Sequence, residues 1–411
     1  MSSSLLPLND QTVQYASPIP LARPSVGDHE WELVRDVLQS GWITQGPMVG
    51  QFEEAVASFV GAEFGVAVCN GTAAIHLALE ALDIGSGDEV IVPSLTFIAT
   101  ANAIRHCGAT PVFADVERET FNLKLKSVEA VLSKRTKAIL AVHQFGMPAD
   151  LDRLNKLASP RGVHVVEDAA CALGSRYHGR RIGSDAPLAC FSFHPRKIIT
   201  TGEGGLITTN QAALADRLRR LRHHGMDVTD WQRHQQPDPP LEQFVEVGYN
   251  YRMSDLSAAV GLAQMERIES LLDSRKRLGE RYDSIFGGHP ALRFPVISNT
   301  CETNYQTYAL CLTEEASCDR DGLIRELRAR GIAARTGLAC IHQARCYFED
   351  YGDVKLPNSE WLANHMFLLP LFPDMTGSQQ DYVIAAVLRC VGGESRSSTQ
   401  QSATTRGACG S

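Results

Sequence analysis

Short apolar runs alternate with helical segments between residues 65 and 209, and this pattern constrains the fold most. Helical segments are predicted at 71–82, 96–107, 125–133 and 151–158. Continuous apolar strands separated by helices form a parallel sheet covered on both faces, so the pattern predicts an α/β fold with a mostly parallel sheet. The strand-like runs are GVAVC (65–69), EVIVPS (89–94), TPVFAD (110–115), KAILAVH (137–143), VHVVED (163–168), PLACFSF (187–193) and GGLITT (204–209).

The segments on either side of this alternation predict an appended smaller domain. Two amphipathic helices come first, one with an apolar stripe of Trp31, Val34, Val37 and Leu38 that ends at Gly41, and one built on Phe52, Val56, Phe59 and Val60. After a basic helix at 213–225, the polar, Pro-rich segment 225–253 predicts a long functional loop. A long helix is predicted at 254–285. The predicted division is an N-terminal arm (1–17), a large α/β domain (18–285), a small C-terminal α+β domain (286–391) and a disordered tail (392–411).

Composition and charge exclude several classes of protein. The chain of 411 residues is 44% hydrophobic with a net charge of −8, which argues against disorder, nucleic-acid binding and an anionic-membrane surface. No apolar run is long enough to cross a membrane, and the N-terminus lacks the basic and apolar regions of a secretion signal. The 11 cysteines show no C-x-x-C spacing, so the sequence predicts reduced core cysteines, no metal site and a cytoplasmic protein.

Two acidic residues and a lysine are candidates for chemistry. Glu167 and Asp168 end an apolar strand, and ligands of open α/β sheets gather at the carboxyl ends of strands. The simpler interpretation of these acids is a helix cap. Lys197 lies between an apolar strand that contains Ser192 and the Gly-rich run TTGEGG (200–205). It is either an ordinary surface lysine or an amine that attacks a carbonyl carbon.

A third candidate is the small-residue turn Asn70-Gly71-Thr72 after the first strand of the alternation. Small residues that open a helix leave backbone N–H groups free to hold an anion, although a tight turn alone has the same pattern. The chain has neither a G-x-G-x-x-G fingerprint nor a Walker A run, which disfavours a dinucleotide enzyme. A phosphate cradle, a strand-end acid and a lysine are together the groups that pyridoxal 5'-phosphate (PLP) requires.

The chain resembles the DegT/DnrJ/EryC1/StrS family of PLP-dependent aminotransferases from about residue 18 to residue 390. The resemblance implies the fold of aspartate aminotransferase, fold type I. It is carried by SGWITQGPMVGQFEE (40–54), CNGTAAIHLAL (69–79), GDEVIVPSLTFIATANAI (87–104), GATPVFADV (108–116), VVEDAACALGS (165–175), CFSFHPRKIITTGEGG (190–205) and GYNYRMSDLSAA (248–259).

The resemblance also implies residue roles around the cofactor. Lys197 corresponds to the lysine that forms the Schiff base, and Asp168 to the partner of the pyridine nitrogen. Gly71 and Thr72, with Ser192, correspond to the phosphate cup.

Three further positions follow from the same resemblance. Phe97 corresponds to the aromatic residue that stacks on the ring, and Asn250 to a residue that reaches the phosphate of the neighbouring subunit, which implies a homodimer with shared sites. Cys171 stands where Gln or His is more common near the ring hydroxyl. Because a thiol is a weak hydrogen-bond donor, this departure affects cofactor tuning.

The implied activity is transfer of an amino group from L-glutamate to a nucleotide-activated ketosugar, with a 4-keto sugar favoured over a 3-keto sugar. Candidate acceptor contacts are Trp42 and Thr44 in SGWITQGP (40–47), the loop 225–250, and Arg335 and His342. The alternatives are a cyclitol aminotransferase, a PLP sugar dehydratase or a non-catalytic PLP-binding regulator. The family's dehydratases replace the lysine by His, whereas Lys197 is present here.

Overall fold

The computed structural model describes residues 17–228, 233–234 and 241–392. The predicted disordered tail after its first residue, Gly392, most of the predicted N-terminal arm and part of the predicted loop 225–253 lie outside these residues. The helices are α1 (Asp28–Ser40), α2 (Pro47–Val60), α3 (Gly71–Glu80), α4 (Ala99–His106), α5 (Leu125–Val131), α6 (Leu151–Ala158), α7 (Ala212–Leu221), α8 (Asp255–Met265), α9 (Ile268–Phe286), α10 (Arg320–Ala329), α11 (Phe348–Tyr351), α12 (Pro357–His365) and α13 (Gly377–Gly392). The strands are β1 (Phe64–Val68), β2 (Glu89–Pro93), β3 (Thr110–Ala114), β4 (Thr136–Val142), β5 (His164–Asp168), β6 (Arg176–Tyr177), β7 (Arg180–Arg181), β8 (Ala189–Ser192), β9 (Gly205–Thr209), β10 (Leu292–Arg293), β11 (Cys301–Glu302), β12 (Tyr308–Leu312), β13 (Arg335–Thr336) and β14 (Met366–Leu369).

The central sheet has seven strands in the order β1-β9-β8-β5-β4-β2-β3. Only β9 runs antiparallel to its neighbours, so the prediction of a mostly parallel sheet is confirmed. Because β9 is antiparallel to both β1 and β8, strands β1, β8 and β5 point the same way, and their carboxyl ends meet at one edge. The turn after β1, Ser192 of β8 and Asp168 of β5 therefore lie at the same edge of the sheet.

Helices cover both faces of this sheet. Helix α3 is buried along most of its length, and its side chains pack with those of β1, β2 and α4 in one apolar cluster. Phe52 of α2 packs on the other face, against Phe193 just after β8 and against residues of α8. The apolar strands predicted from the sequence are thus enclosed on both sides, as their composition requires.

A second sheet, in the order β10-β12-β14-β13, forms a smaller unit with α10 and α13. Its strands pair antiparallel, and its buried core includes Tyr282 and Phe286 of α9. Ile19 forms a parallel bridge with Ile332 and is fully buried in the same core. The chain therefore begins its described path in the core of the smaller unit.

Two details of the predicted helices are wrong. The long helix at 254–285 is two helices that break at Arg267, whose guanidinium group bonds to the Ser25 carbonyl and to the Glu30 carboxylate. In α1 only Val37 of the predicted apolar stripe is buried, whereas Trp31 is 66% exposed and Leu38 is 54% exposed. Within the described residues, no helix is both long and apolar enough to cross a membrane.

Candidate active site

Lys197 lies in the irregular segment between β8 and β9, at the edge where the parallel strands end. The side chain is half-buried, and its Nζ donates to the Sγ of Cys171 at 3.2 Å. The backbone N–H of Lys197 donates to the His194 carbonyl at 2.8 Å, so a tight turn fixes the lysine. The amine therefore projects beside the segment that follows β5.

Asp168 is the last residue of β5 and is buried. Its Oδ2 accepts a hydrogen bond from Thr100 Oγ1 at 2.8 Å, and its Oδ1 accepts one from the Ala170 N–H at 3.2 Å. Successive side chains of a strand point to opposite faces, and Glu167 accordingly pairs with His143 at 3.2 Å. Asp168 is thus held by a hydroxyl and a backbone N–H, with no described cation paired to it.

The N-terminus of α3 provides a tight cradle beside β8 and β9. Asn70 caps the helix by accepting from the Ala73 N–H at 2.9 Å. A Cβ added to Gly71 would lie 2.8 Å from the Cβ of Ser192, and one added to Gly205 would lie 2.4 Å from the Asn70 carbonyl oxygen. Only glycine allows these approaches. The free backbone N–H groups of the first helical turn, beginning at Gly71 and Thr72, lie at the edge of the sheet where the parallel strands end. Such groups suit the binding of a phosphate.

Phe97 is 64% exposed, in the turn that leads from β2 into α4. Its carbonyl accepts from the N–H of Thr100, the residue whose hydroxyl bonds to Asp168. An exposed aromatic ring one turn before Thr100 suits stacking on a flat ligand.

Taken together, these residues fit the PLP molecule. The glycine cradle suits the phosphate, the Asp168 carboxylate suits a protonated ring nitrogen, and the Lys197 amine suits attachment to a carbonyl carbon. When bound, PLP supplies an electron sink for chemistry at the carbon next to an amine.

The candidate acceptor residues Trp42 and Thr44 lie in an ordered loop between α1 and α2. Trp42 Nε1 donates to the Gln45 carbonyl at 3.0 Å, and the exposed Thr44 accepts through its carbonyl from the Asp255 N–H at 2.9 Å. The Asp255 carboxylate accepts from the N–H groups of Gly46, Met48 and Val49 at 2.8, 3.2 and 3.1 Å. The start of α8 therefore anchors this loop.

Asn250 is exposed, and its backbone bridges to His223 at the C-terminal end of α7. The rings of its neighbours Tyr249 and Tyr251 stack on each other with their centroids 5.1 Å apart. The exposed Asn250 side chain thus lies between two stacked tyrosines.

The two candidates in the smaller unit differ in exposure. Arg335, on β13, is half-buried, and burial together with the charge of Arg196 lowers the pKa of its guanidinium group. His342 is fully buried, with its Nδ1 2.6 Å from Ser94 Oγ and its Nε2 3.5 Å from Glu360. The structure therefore places His342 in the core, where it has no exposed surface to offer an acceptor.

Sequence reasoning missed two residues that position the site. Thr100 bonds to Asp168, and Asn304 Nδ2 donates to the carbonyls of Cys171 and Leu173, both at 2.9 Å. Both act across long sequence separations, so no local pattern identifies them.

The model of the DegT/DnrJ/EryC1/StrS aminotransferase family matches residues 24–388. The chain belongs to this family. The predictions of the family, of the fold type I architecture and of a PLP-dependent aminotransferase are thereby confirmed.

Solved structures with this fold include three similar proteins. DesV of S. venezuelae, solved in complex with a ketimine intermediate, is 33% identical with a TM-score of 0.82, covering 90% of this chain and 98% of that one. Spr1654 of Streptococcus pneumoniae, solved in a PMP-form, is 30% identical with a TM-score of 0.85, covering 90% and 98%. The sugar aminotransferase CalS13 of Micromonospora echinospora is 29% identical with a TM-score of 0.82, covering 90% and 99%.

Proposed function

We propose that this aminotransferase moves an amino group from L-glutamate to the keto carbon of a nucleotide-activated sugar, with a 4-keto sugar favoured over a 3-keto sugar. The observation that carries the proposal is the interaction between the like charges of Arg196 and Arg335. Arg196 precedes Lys197 in the chain, and its charge acts on the half-buried Arg335. The buried Nε of Arg335 has no hydrogen-bond partner among the described residues. Two guanidinium groups that repel each other suit the diphosphate of a nucleotide sugar.

Each residue of the site has a task in this proposal. The Lys197 amine anchors the cofactor and, once released, carries a proton to and from the carbon that bears the amine. Asp168 keeps the proton on the ring nitrogen, and Thr100 and the Ala170 N–H orient its carboxylate. The α3 N-terminus and Ser192 hold the phosphate, and Phe97 covers the ring.

We further propose that the sites are built from two copies of the chain, with Asn250 reaching the phosphate of the other copy. The described surface leaves Trp31, Leu38 and Ile43 more than half exposed. Apolar side chains of this size on one chain favour burial against a partner. In such a dimer the exposed Asn250 would contact the phosphate bound by the other copy.

The acceptor is tested by comparing three ketones with the glutamate-treated enzyme. These are a nucleotide-diphospho-4-ketosugar, the same ketosugar without the nucleotide, and a keto-inositol. The proposal predicts the highest kcat/KM for the nucleotide-linked sugar. Equal or faster turnover of the keto-inositol would instead identify a cyclitol aminotransferase.

The Arg335→Gln variant separates binding of the acceptor from binding of the donor. Losing a charge-assisted hydrogen bond costs about 1.5–3 kcal/mol, so kcat/KM for the nucleotide sugar should fall about tenfold to a hundredfold. The half-reaction with glutamate, measured alone by stopped-flow absorbance, should be unchanged. An Arg325→Gln variant on the exposed face of α10 is the matched control. Loss of the glutamate half-reaction would assign Arg335 to the donor carboxylate.

A further inference from the structure

A second cluster of chemically competent side chains lies away from the lysine, at the C-terminal end of α3. It consists of His76 and Glu80, one turn apart on α3, and Cys107, directly after α4. One potential ligand atom from each residue lies within 4.8 Å of the other two. His76 Nε2 and Glu80 Oε1 are 3.4 Å apart. Two ligands bound to a common zinc ion at about 2.0–2.1 Å, with tetrahedral angles, are separated by about 3.4 Å.

The imidazole of His76 gives an independent indication of a ligand. The residue is 3% exposed, yet its Nε2 makes no aligned hydrogen bond among the described residues, although the Glu80 carboxylate lies 3.4 Å away. Buried polar atoms are almost always hydrogen-bonded, so a buried nitrogen that faces a carboxylate oxygen without an aligned hydrogen bond requires an explanation. The other ring nitrogen, Nδ1, lies 3.1 Å from the Tyr251 hydroxyl. Histidines that bind metal through one nitrogen generally engage a second partner through the other.

We propose that His76, Glu80 and Cys107 bind a divalent cation of the zinc class. Nitrogen, carboxylate and thiolate ligands together match the preferences of Zn²⁺, and they disfavour Mg²⁺ and Ca²⁺, which take oxygen ligands. The Cys107 thiol donates to the Ala103 carbonyl at 3.3 Å, and binding of the ion displaces that proton. The exposed His106, whose ring centroid is 5.7 Å from that of His76, or a water molecule completes the four ligands.

The position of the cluster assigns the ion a structural role. Helix α3 carries Gly71 at its other end, and α4 carries Thr100, which bonds to Asp168. Cross-linking the C-terminal ends of these two helices fixes the elements that hold the phosphate cradle and the strand-end acid. The ion lies at the far end of α3 from the cradle, so no step of amino transfer passes through it.

Metal binding is tested directly on the purified holoenzyme. After dialysis against a chelator and then against buffered ZnCl₂, plasma mass spectrometry should find one zinc per chain, and zinc should raise the thermal unfolding midpoint. Replacing zinc by Co²⁺ should give the intense ligand-field bands of tetrahedral cobalt, at wavelengths longer than the cofactor absorbs. Absence of saturable zinc binding by the wild-type enzyme overturns the proposal.

Point variants distinguish zinc bound at this cluster from zinc bound adventitiously by the cofactor or by other thiols. Cys107→Ser and Glu80→Gln should each lower the zinc affinity at least tenfold and abolish the cobalt bands. The control is Cys346→Ala, which removes an exposed cysteine and should leave both unchanged. Far-UV circular dichroism verifies that each variant is folded. Zinc affinity and cobalt spectra that are identical in the wild type and in all folded variants would place the ion elsewhere and overturn the assignment.

Discussion

The side-chain nitrogen of Lys197 lies 3.2 Å from the sulfur of Cys171, with the nitrogen as donor. Asn304, which follows β11, fixes the backbone of Cys171 by donating to its carbonyl. Lys197, the proposed cofactor lysine, thus has a weakly hydrogen-bonding neighbour at the position where the family resemblance leads us to expect Gln or His.

Cys171→Ala tests what this contact contributes. A neutral hydrogen bond contributes about 1 kcal/mol, so kcat/KM should change by about fivefold at most. The absorption maximum of the bound cofactor should shift, since the thiol lies beside its attachment point. Cys346→Ala, at an exposed position, should change neither quantity. A loss above about a hundredfold would mean that the thiol takes part in the chemistry.

Asp168→Asn distinguishes a catalytic carboxylate from a structural cap. An amide keeps the hydrogen-bonding geometry but cannot stabilise a proton on the ring nitrogen, so kcat should fall about a hundredfold or more. Thr100→Val, which removes the 2.8 Å hydrogen bond to Asp168, should cost about tenfold. Steady-state kinetics of both variants provide the test, and wild-type rates for Asp168→Asn would contradict the assigned role.

The pH dependence of stability should reveal the buried His342. Burial lowers the pKa of its imidazole below the ordinary value of 6.5, so the folded state keeps it neutral. As the pH falls through 6.5 the unfolded chain takes up a proton that the folded chain does not, and the free energy of unfolding decreases. Above that pH the group has no effect. Urea denaturation of His342→Gln should show a weaker loss of stability with acid than the wild type.

The matched control for this measurement is His164→Gln, because His164 is exposed. Its acid dependence should equal that of the wild type. If His342→Gln has the same acid dependence as the wild type, the imidazole is not held neutral in the folded protein.

Subunit mixing tests the proposed role of Asn250. Lys197→Ala and Asn250→Asp should each be inactive alone, the second because a carboxylate repels the phosphate. In a mixed dimer with shared sites, one site receives both changes and the other receives neither, so activity should return toward about half of the wild-type value per mixed dimer. Exchange is verified by native mass spectrometry. No recovery in verified mixed dimers would contradict a shared site.

The sheet and its functional edge could be predicted because burial on both faces leaves a strong pattern. The run VHVVED is apolar at Val163, Val165 and Val166, and Asp168 stands where this pattern ends. The edge then follows from strand direction alone. Thr100 could not be predicted, because its contact with Asp168 depends on how α4 packs.

Other features depend on tertiary contacts that override local preference. The predicted long helix breaks at Arg267 because its side chain bonds to Ser25 and Glu30 in a distant segment. As a histidine, His342 is expected to be a cation at the surface. Instead it lies in the core, where its Nε2 is 3.5 Å from the Glu360 carboxylate and its Nδ1 is hydrogen-bonded to Ser94. Trp31 is the opposite case. It belongs to an apolar helical stripe, which predicts a buried face, yet it is exposed in the single chain.

The most direct test of the account is the site of covalent attachment of the cofactor. The purified holoenzyme is reduced with sodium borohydride, digested and mapped by mass spectrometry, with Lys156→Ala, an exposed site on α6, as the control variant. The account predicts a pyridoxyl group on Lys197 in the wild type and in the control, and none in Lys197→Ala. A pyridoxyl group on another lysine of the wild-type protein, or multiple turnovers by Lys197→Ala, would contradict it.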